Sequence, residues 1–309
     1  MPPTSCIEIQ TFSYPKEAKT IGEKDSGDCF VYLGGKVLKD KKTRLRLAAA
    51  VIIIIFAFCI LAGIPAIRKQ TGVAGQDMII IAHRAGAASA PENTLAALTA
   101  AIADGAEIAE IDIRQMTDGT LIVMHDDNFF RTTGINLNIR EAAYQDVIGL
   151  DAAAYFRGSF AGEKIPTLDE MLEASKGRIR LMIEVKVAGY EKDLEKQLVE
   201  ALRLHDMEGC IIGSASLEVL RKVKEMAPII ETVYIAESLK GSDYDLDYVD
   251  SYSVKYRNIN GSMVTRIHSR GKLIYGWTVN SDDNIRNLIL KDVDGIVTDD
   301  VLLVRTICY

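Results

Sequence analysis

From Asp77 onward, short apolar runs alternate with amphipathic stretches. Strand-like runs occupy residues 78–82, 107–113, 121–125, 179–185, 210–213, 229–235, 248–254, 273–279 and 295–297. Such runs, several of them β-branched and bounded by turn residues, read as buried strands. Helical periodicity fills most of the intervals, at 91–103, 167–174, 192–204, 216–226, 263–269 and 282–290. About eight βα units in roughly 230 residues predict an α/β fold, a (β/α)8 TIM barrel, with an open doubly wound sheet as the alternative. No Gly-x-Gly-x-x-Gly or Walker loop follows a strand, which weakens the nucleotide-binding form of that alternative.

The first 76 residues have a different pattern. Residues 1–46 are polar and mixed in charge, as expected of a loosely ordered tail, with a short strand conceivable near 30–33. Residues 47–67, LAAAVIIIIFAFCILAGIPAI, are uncharged throughout. At ~1.5 Å per residue they can cross a hydrocarbon core of ~30 Å, so a transmembrane helix is predicted. A buried core helix is disfavoured because nothing polar interrupts the run, and a cleaved signal peptide because the preceding tail is too long. Lys39, Lys41, Lys42, Arg44 and Arg46 precede the run, against Arg68 and Lys69 after it. The positive-inside rule then puts the N-terminus in the cytoplasm and residues 77–309 on the outer side of a cell membrane, beyond a linker at 68–76.

Charge sharpens this division. The formal net charge is −7, yet residues 1–76 carry 11 basic and 6 acidic groups, so the surplus of acid lies wholly in the rest of the chain. Nucleic acid is not an expected partner of so acidic a domain. The five cysteines include no Cys-x-x-Cys pair and suggest neither a zinc site nor a disulfide framework.

Placed on the strand map, the unusual polar residues gather at carboxyl ends, which in a barrel form one rim. His83 and Arg84 close the first strand, and a small-residue loop leads on to Pro91, Glu92, Asn93 and Thr94 at the expected start of a helix. Glu110 and Asp112 lie two apart in the second strand and so share a face. His125 and Asp126 close the third run, Glu184 and Lys186 the fourth, and Thr298 with Asp299 the last. Three carboxylates converging from two strands suit a hard divalent cation such as Mg2+ or Ca2+, although each alone also fits a solvated strand face or an ordinary ion pair. His83 and His125 can serve as base and acid, complete a transition-metal site, or be structural; Arg84 beside one of them favours an anionic, phosphate-bearing substrate. His205 and His268 fall toward helix ends near glycines, where capping and surface roles are the default.

The run HRAG at 83–86, APENT at 90–94, the Glu-x-Asp of Glu110 and Asp112, VMHDDNFFRTTG at 123–134, IPTLDEML at 165–172, the Glu-x-Lys of Glu184 and Lys186, GWTVN at 276–280 and GIVTD at 295–299 resemble, in order, the glycerophosphodiester phosphodiesterases. The resemblance covers about residues 77–300 and implies a barrel that hydrolyses a glycerophosphodiester to sn-glycerol 3-phosphate and an alcohol. It implies Glu110, Asp112 and Glu184 as ligands of the divalent cation, His83 and His125 as the acid and base, Arg84 and Lys186 as phosphate partners, and Trp277 as a wall for the glycerol moiety. Glu92 and Asn93 match the family's Pro-Glu-Asn-Thr motif as second-tier candidates, since acidic residues also suit a helix start. A single helix ahead of such a domain resembles the last span of the family's membrane-embedded members. The chain departs from the usual pattern with HRAG in place of HRG, and with Thr-Asp-Asp-Val where a proline often follows Thr-Asp-x. The second departure is expected to touch barrel closure and stability more than chemistry. Alternatives carried forward are a phosphodiesterase directed at lysophospholipids or sphingolipids on the same barrel, and a catalytically silent binding domain.

Overall fold

The computed structural model describes residues 32–33, 36–37 and 78–309 apart from 157, 158 and 208. The chain divides into two units, residues 1–73 and 74–309. In the first, β1 (Tyr32–Leu33) pairs antiparallel with β2 (Lys36–Val37). The expected membrane span at 47–67 and the linker at 68–76 lie outside the described residues. No described helix is long and apolar enough to cross a membrane.

The second unit is a closed parallel barrel of eight strands, consistent with a (β/α)8 TIM barrel. Its members are β3 (Ile79–Ala82), β4 (Ile108–Gln115), β6 (Arg180–Val185), β7 (Ile211–Ser214), β8 (Glu231–Ala236), β9 (Ser251–Lys255), β10 (Leu273–Trp277) and β11 (Gly295–Thr298), with β5 (Leu121–Val123) joining from outside the ring. The pairings β11 with β3 and β3 with β4 close the ring, which excludes the open doubly wound sheet. Followed once round, the residue pairings return to β4 displaced by eight positions, the shear of a TIM barrel.

Strand alternation explains both cores. Ile81, Ile108, Met182, Ile211, Val233, Tyr275 and Val297 point inward and fill the lower barrel. Their neighbours Ile80, Ile111, Ile183, Ile212, Tyr252, Ile274 and Ile296 point outward, fully buried beneath the helices. Two residues beyond the inward apolar layer, the same parity yields His83, Glu110, Glu184, Trp277 and Asp299. The polar residues therefore face one another at the carboxyl rim because their spacing from the core residues is even.

The run at 121–125 was expected to be a barrel strand. It is instead β5, residues 121–123, antiparallel to β4 with Ile113 opposite Val123. Five residues separate β4 from β5, and a parallel crossover needs a dozen or more, so a hairpin is the available connection. The helix expected from Pro91 begins later, at Leu95, where the Thr94 hydroxyl accepts from the Ala97 amide at 3.1 Å. Residues 91–93 are withheld from it because Asn93 takes a left-handed backbone, φ 59°, that serves the site described next.

Candidate active site

The loop after β3 is wound tightly: Arg84, Ala85 and Gly86 have φ of 50°, 64° and 103°. Two non-glycine residues in this region cost of the order of 1–3 kcal/mol each, so the surroundings must hold them. The Arg84 amide donates to Glu110 Oε2 at 2.7 Å, and the Arg84 carbonyl accepts from the Asn93 amide at 2.8 Å. The loop backbone is thus pinned to an inward carboxylate of β4.

Glu110, Asp112 and Glu184 each present an oxygen within 4.8 Å of the others. Glu110 and Asp112 are buried, and burial together with the Asp112 charge pushes Glu110 up to about 8. Burial and the Asp112 charge also raise Glu184. Asp112 moves the other way, to about 2: burial is outweighed by Lys186 above all, then His125 and the Asn93 amide. Asn93 Nδ2 donates to Asp112 Oδ2 at 2.9 Å while its Oδ1 accepts from the Asp112 amide at 3.1 Å. Lys186 Nζ reaches Glu184 Oε1 at 2.6 Å and Asp112 Oδ1 at 3.1 Å. Glu110 Oε1, by contrast, is buried with no hydrogen-bond partner. A hard oxygen donor set with one orphaned carboxylate oxygen and two carboxyls pushed toward neutrality fits a divalent cation.

Both histidines belong to carboxylate pairs. His83 Nδ1 lies 2.6 Å from Asp299 Oδ1, and Asn280 Nδ2 donates to the other oxygen of Asp299. His125 Nδ1 lies 2.7 Å from Asp126 Oδ1, whose second oxygen accepts from Arg131 Nε at 2.6 Å. With the proton on Nδ1 in each pair, Nε2 is the free nitrogen. The two imidazoles differ in basicity: for His83 the cost of burial is exceeded by Asp299 and Glu110, so its pKa rises. For His125 burial prevails over Asp112 and Asp126, so its pKa falls.

Glu92 joins the two sides of the mouth. Its carboxylate accepts from Arg84 at 2.8 Å and from both terminal nitrogens of Arg131 at 2.6 and 2.7 Å, while its amide accepts no proton but donates to the Tyr155 hydroxyl at 2.9 Å. Glu92 lies ahead of the helix, whose N-cap is Thr94, and not in the first turn where the helix dipole favours an acidic residue. Trp277 is fixed by its indole N–H, which donates to the Ser253 carbonyl at 3.0 Å.

His83, Arg84, Glu110, His125, Glu184, Lys186 and Trp277 line one cavity of about 180 Å3. Asp112 and Asn93 lie immediately behind it through the bonds given above, and Glu92 lines a neighbouring cavity together with His83, Arg84 and Asp299. His205 and His268 are elsewhere, bonded to Asp169 at 3.1 Å and to Asp294 at 2.9 Å. Asp126 and Asp299 stand on the rim that the sequence predicts, but their pairing with the histidines is not legible there, nor are the contacts of Asn280 and Arg131. Within Thr-Asp-Asp-Val, Asp299 contacts His83 and Asp300 caps the helix Val301–Cys308, while Val301, the position at which the chain departs from proline, is the buried first residue of that helix. The available signal was parity: Asp299 lies two residues beyond the inward Val297.

A glycerophosphodiester phosphodiesterase of Caldanaerobacter subterraneus subsp. tengcongensis is 33% identical over 229 residues, spanning 72% of this chain and 94% of that protein. An Oleispira antarctica phosphodiesterase, solved in complex with the product sn-glycerol-3-phosphate, superposes with a TM-score of 0.70 at 26% identity, over 76% of this chain and 96% of that one. A glycerophosphodiester phosphodiesterase structure from Agrobacterium tumefaciens matches with a TM-score of 0.63 at 27% identity, over 74% and 99% of the two chains. The model of the glycerophosphoryl diester phosphodiesterase family matches residues 83–303, a span that holds every side chain of this site, and the chain belongs to that family.

Proposed function

We propose that this protein is a metal-dependent phosphodiesterase that hydrolyses glycerophosphodiesters to sn-glycerol 3-phosphate and an alcohol. The observation that carries the reading is the trio of carboxylates within 4.8 Å, beside a cavity lined by two of them and by two carboxylate-paired imidazoles. Glu110, Asp112 and Glu184 would hold the cation, Mg2+ or Ca2+. Bound there, such an ion withdraws charge from phosphoryl oxygens and lowers the pKa of a coordinated hydroxyl.

The chain's own groups do the rest. Arg84 and Lys186 neutralise the phosphate, and the Glu92 clamp keeps the Arg84 guanidinium aimed. His125, the less basic imidazole, takes the proton of the attacking glycerol hydroxyl on Nε2. His83, kept protonated by Asp299, delivers a proton to the departing alcohol oxygen. A cyclic phosphate results, and water opens it with the two roles exchanged. Each proton transfer contributes on the order of 10² to 10⁴ in rate. The indole of Trp277 lines the glycerol end of the cavity.

For the N-terminal region the sequence supports one membrane span at 47–67, a cytoplasmic tail at 1–46 and a catalytic domain on the outer side. Protease protection of the tail in sealed right-side-out vesicles tests that orientation, and digestion of the tail in intact vesicles would reverse it. The activity is tested by release of glycerol 3-phosphate from glycerophosphocholine and glycerophosphoglycerol by the full chain, with Mg2+, Ca2+ or chelator. Metal-dependent release that disappears in His125→Ala is expected. A folded, metal-binding protein that releases none would overturn the assignment.

A further inference from the structure

The lining of the cavity is of two chemical kinds. His83, Arg84, Glu110, His125, Glu184 and Lys186 make one part charged, whereas Met182, Ile235, Ser253, Trp277, Thr278 and Val297 make the other largely apolar. The apolar part owes its shape to a residue with no side chain. Gly213 on β7 holds an inward position, and a Cβ there would stand 2.8 Å from Ile235 Cδ1 and 3.5 Å from Ile235 Cγ1. Its φ lies outside the left-handed region, so space and not backbone freedom is what glycine supplies here. Ile235, on the neighbouring strand β8, leans into the volume that a β7 side chain would otherwise fill. On β10, two strands round the ring, Trp277 is held by its bond to the Ser253 carbonyl.

We propose that Ile235, seated over Gly213, is a specificity-determining residue that sets the depth of the polyol pocket and limits the enzyme to diesters of an unsubstituted three-carbon polyol. The inference rests on the function proposed above, which assigns the phosphate to the charged part. The polyol then lies against Ile235 and Trp277, an apolar wall whose position depends on one side chain. The cavity of about 180 Å3 is small beside the ~300–1,000 Å3 of sites for drug-sized ligands, so an alkyl group directed against Ile235 has to displace protein. A change of one methylene in such a pocket alters discrimination by roughly 10- to 200-fold.

The test compares the full chain, loaded with its metal, on glycerophosphocholine and on the same diester bearing a butyl ether on the terminal glycerol hydroxyl. The wild type should prefer the unsubstituted diester in kcat/KM by roughly 100-fold or more. Ile235→Ala should narrow that preference at least ~10-fold, chiefly through a lower KM for the ether. Gly213→Ala should push Ile235 into the cavity and raise KM for glycerophosphocholine, and the Gly213→Ala/Ile235→Ala double variant should relieve that increase. The double variant and Ile235→Val keep the test in hand if Ile235→Ala folds poorly by far-UV circular dichroism. An active wild type that takes the ether as readily as the parent diester, or variants that keep the wild-type preference, would overturn this inference alone. A folded, metal-bound wild type inactive on both diesters would overturn the functional assignment and this inference with it.

Discussion

His83 Nδ1 and Asp299 Oδ1 stand 2.6 Å apart, joining residues 216 positions distant in the chain. The contact follows from barrel closure: Ala82 on β3 pairs with Thr298 on β11, so the next residues of the two strands lie side by side at the rim. Asn280 holds Asp299 from its other side. Asp299→Asn should preserve the shape while losing the carboxylate that orients and charges the imidazole. A fall in kcat on the order of 10²- to 10⁴-fold is expected, with KM little changed and the pKa assigned to the acid lowered in the pH–rate profile. A variant within threefold of wild type at every pH would remove Asp299 from the mechanism.

Glu110 is costly to keep charged, since burial and Asp112 both oppose its ionisation. Glu110→Gln should therefore be neutral or stabilising in chelator, yet abolish the rise in Tm that Mg2+ or Ca2+ gives the wild type. At a cation concentration of 100 Kd that rise corresponds to about 2.7 kcal/mol. Differential scanning calorimetry with and without cation measures both effects. A variant that kept the full metal response would exclude Glu110 as a ligand.

Glu92 shows the opposite behaviour. Burial alone would raise its pKa, but hydrogen bonds from Arg131 and the charge of Arg84 hold it below the ordinary glutamate value of 4.5. A carboxylate with a depressed folded pKa adds stability above its unfolded pKa, and that stability is lost as pH falls through the folded value. Glu92→Gln should cost roughly 1–3 kcal/mol at pH 7, the penalty of leaving buried donors poorly met. The gap to wild type in urea melts should close as pH drops below about 4.5. An equal gap at pH 7 and pH 3.5 would contradict the ionic role.

The parts of the site that sequence made legible are those set by strand parity. Glu110 with Asp112 and Glu184 with Lys186 are paired at a spacing of two beside apolar runs, and that spacing survives any error in strand ends. The ring itself was legible for the same reason, because its eight parallel strands are short apolar runs at regular intervals. The misreading of 121–125 came from judging the run by its composition when the length of its connection decides its direction. Pro91 looked like a helix start because local propensity favours one there, but Asn93 is committed to Asp112 and the helix waits until Leu95. Arg131 binding Glu92 and Ile235 covering Gly213 depend on contacts between separate elements, which no local pattern encodes.

The segment that follows β5 packs around a small core in which Met124, Phe129, Ile139, Ala142, Val147, Ala152 and Ile165 join Met116 and Ile122 of the β4–β5 hairpin, apart from the two clusters beneath the barrel helices. It carries His125, Asp126, Arg131 and Tyr155. Such a satellite can open at a lower free energy than the ring that supports it. Warming should then silence the enzyme reversibly before the barrel melts, with amide exchange rising first across residues 124–165. The thermal ceiling on activity would belong to these forty-odd residues, and repacking them would raise the working temperature without altering a single barrel strand.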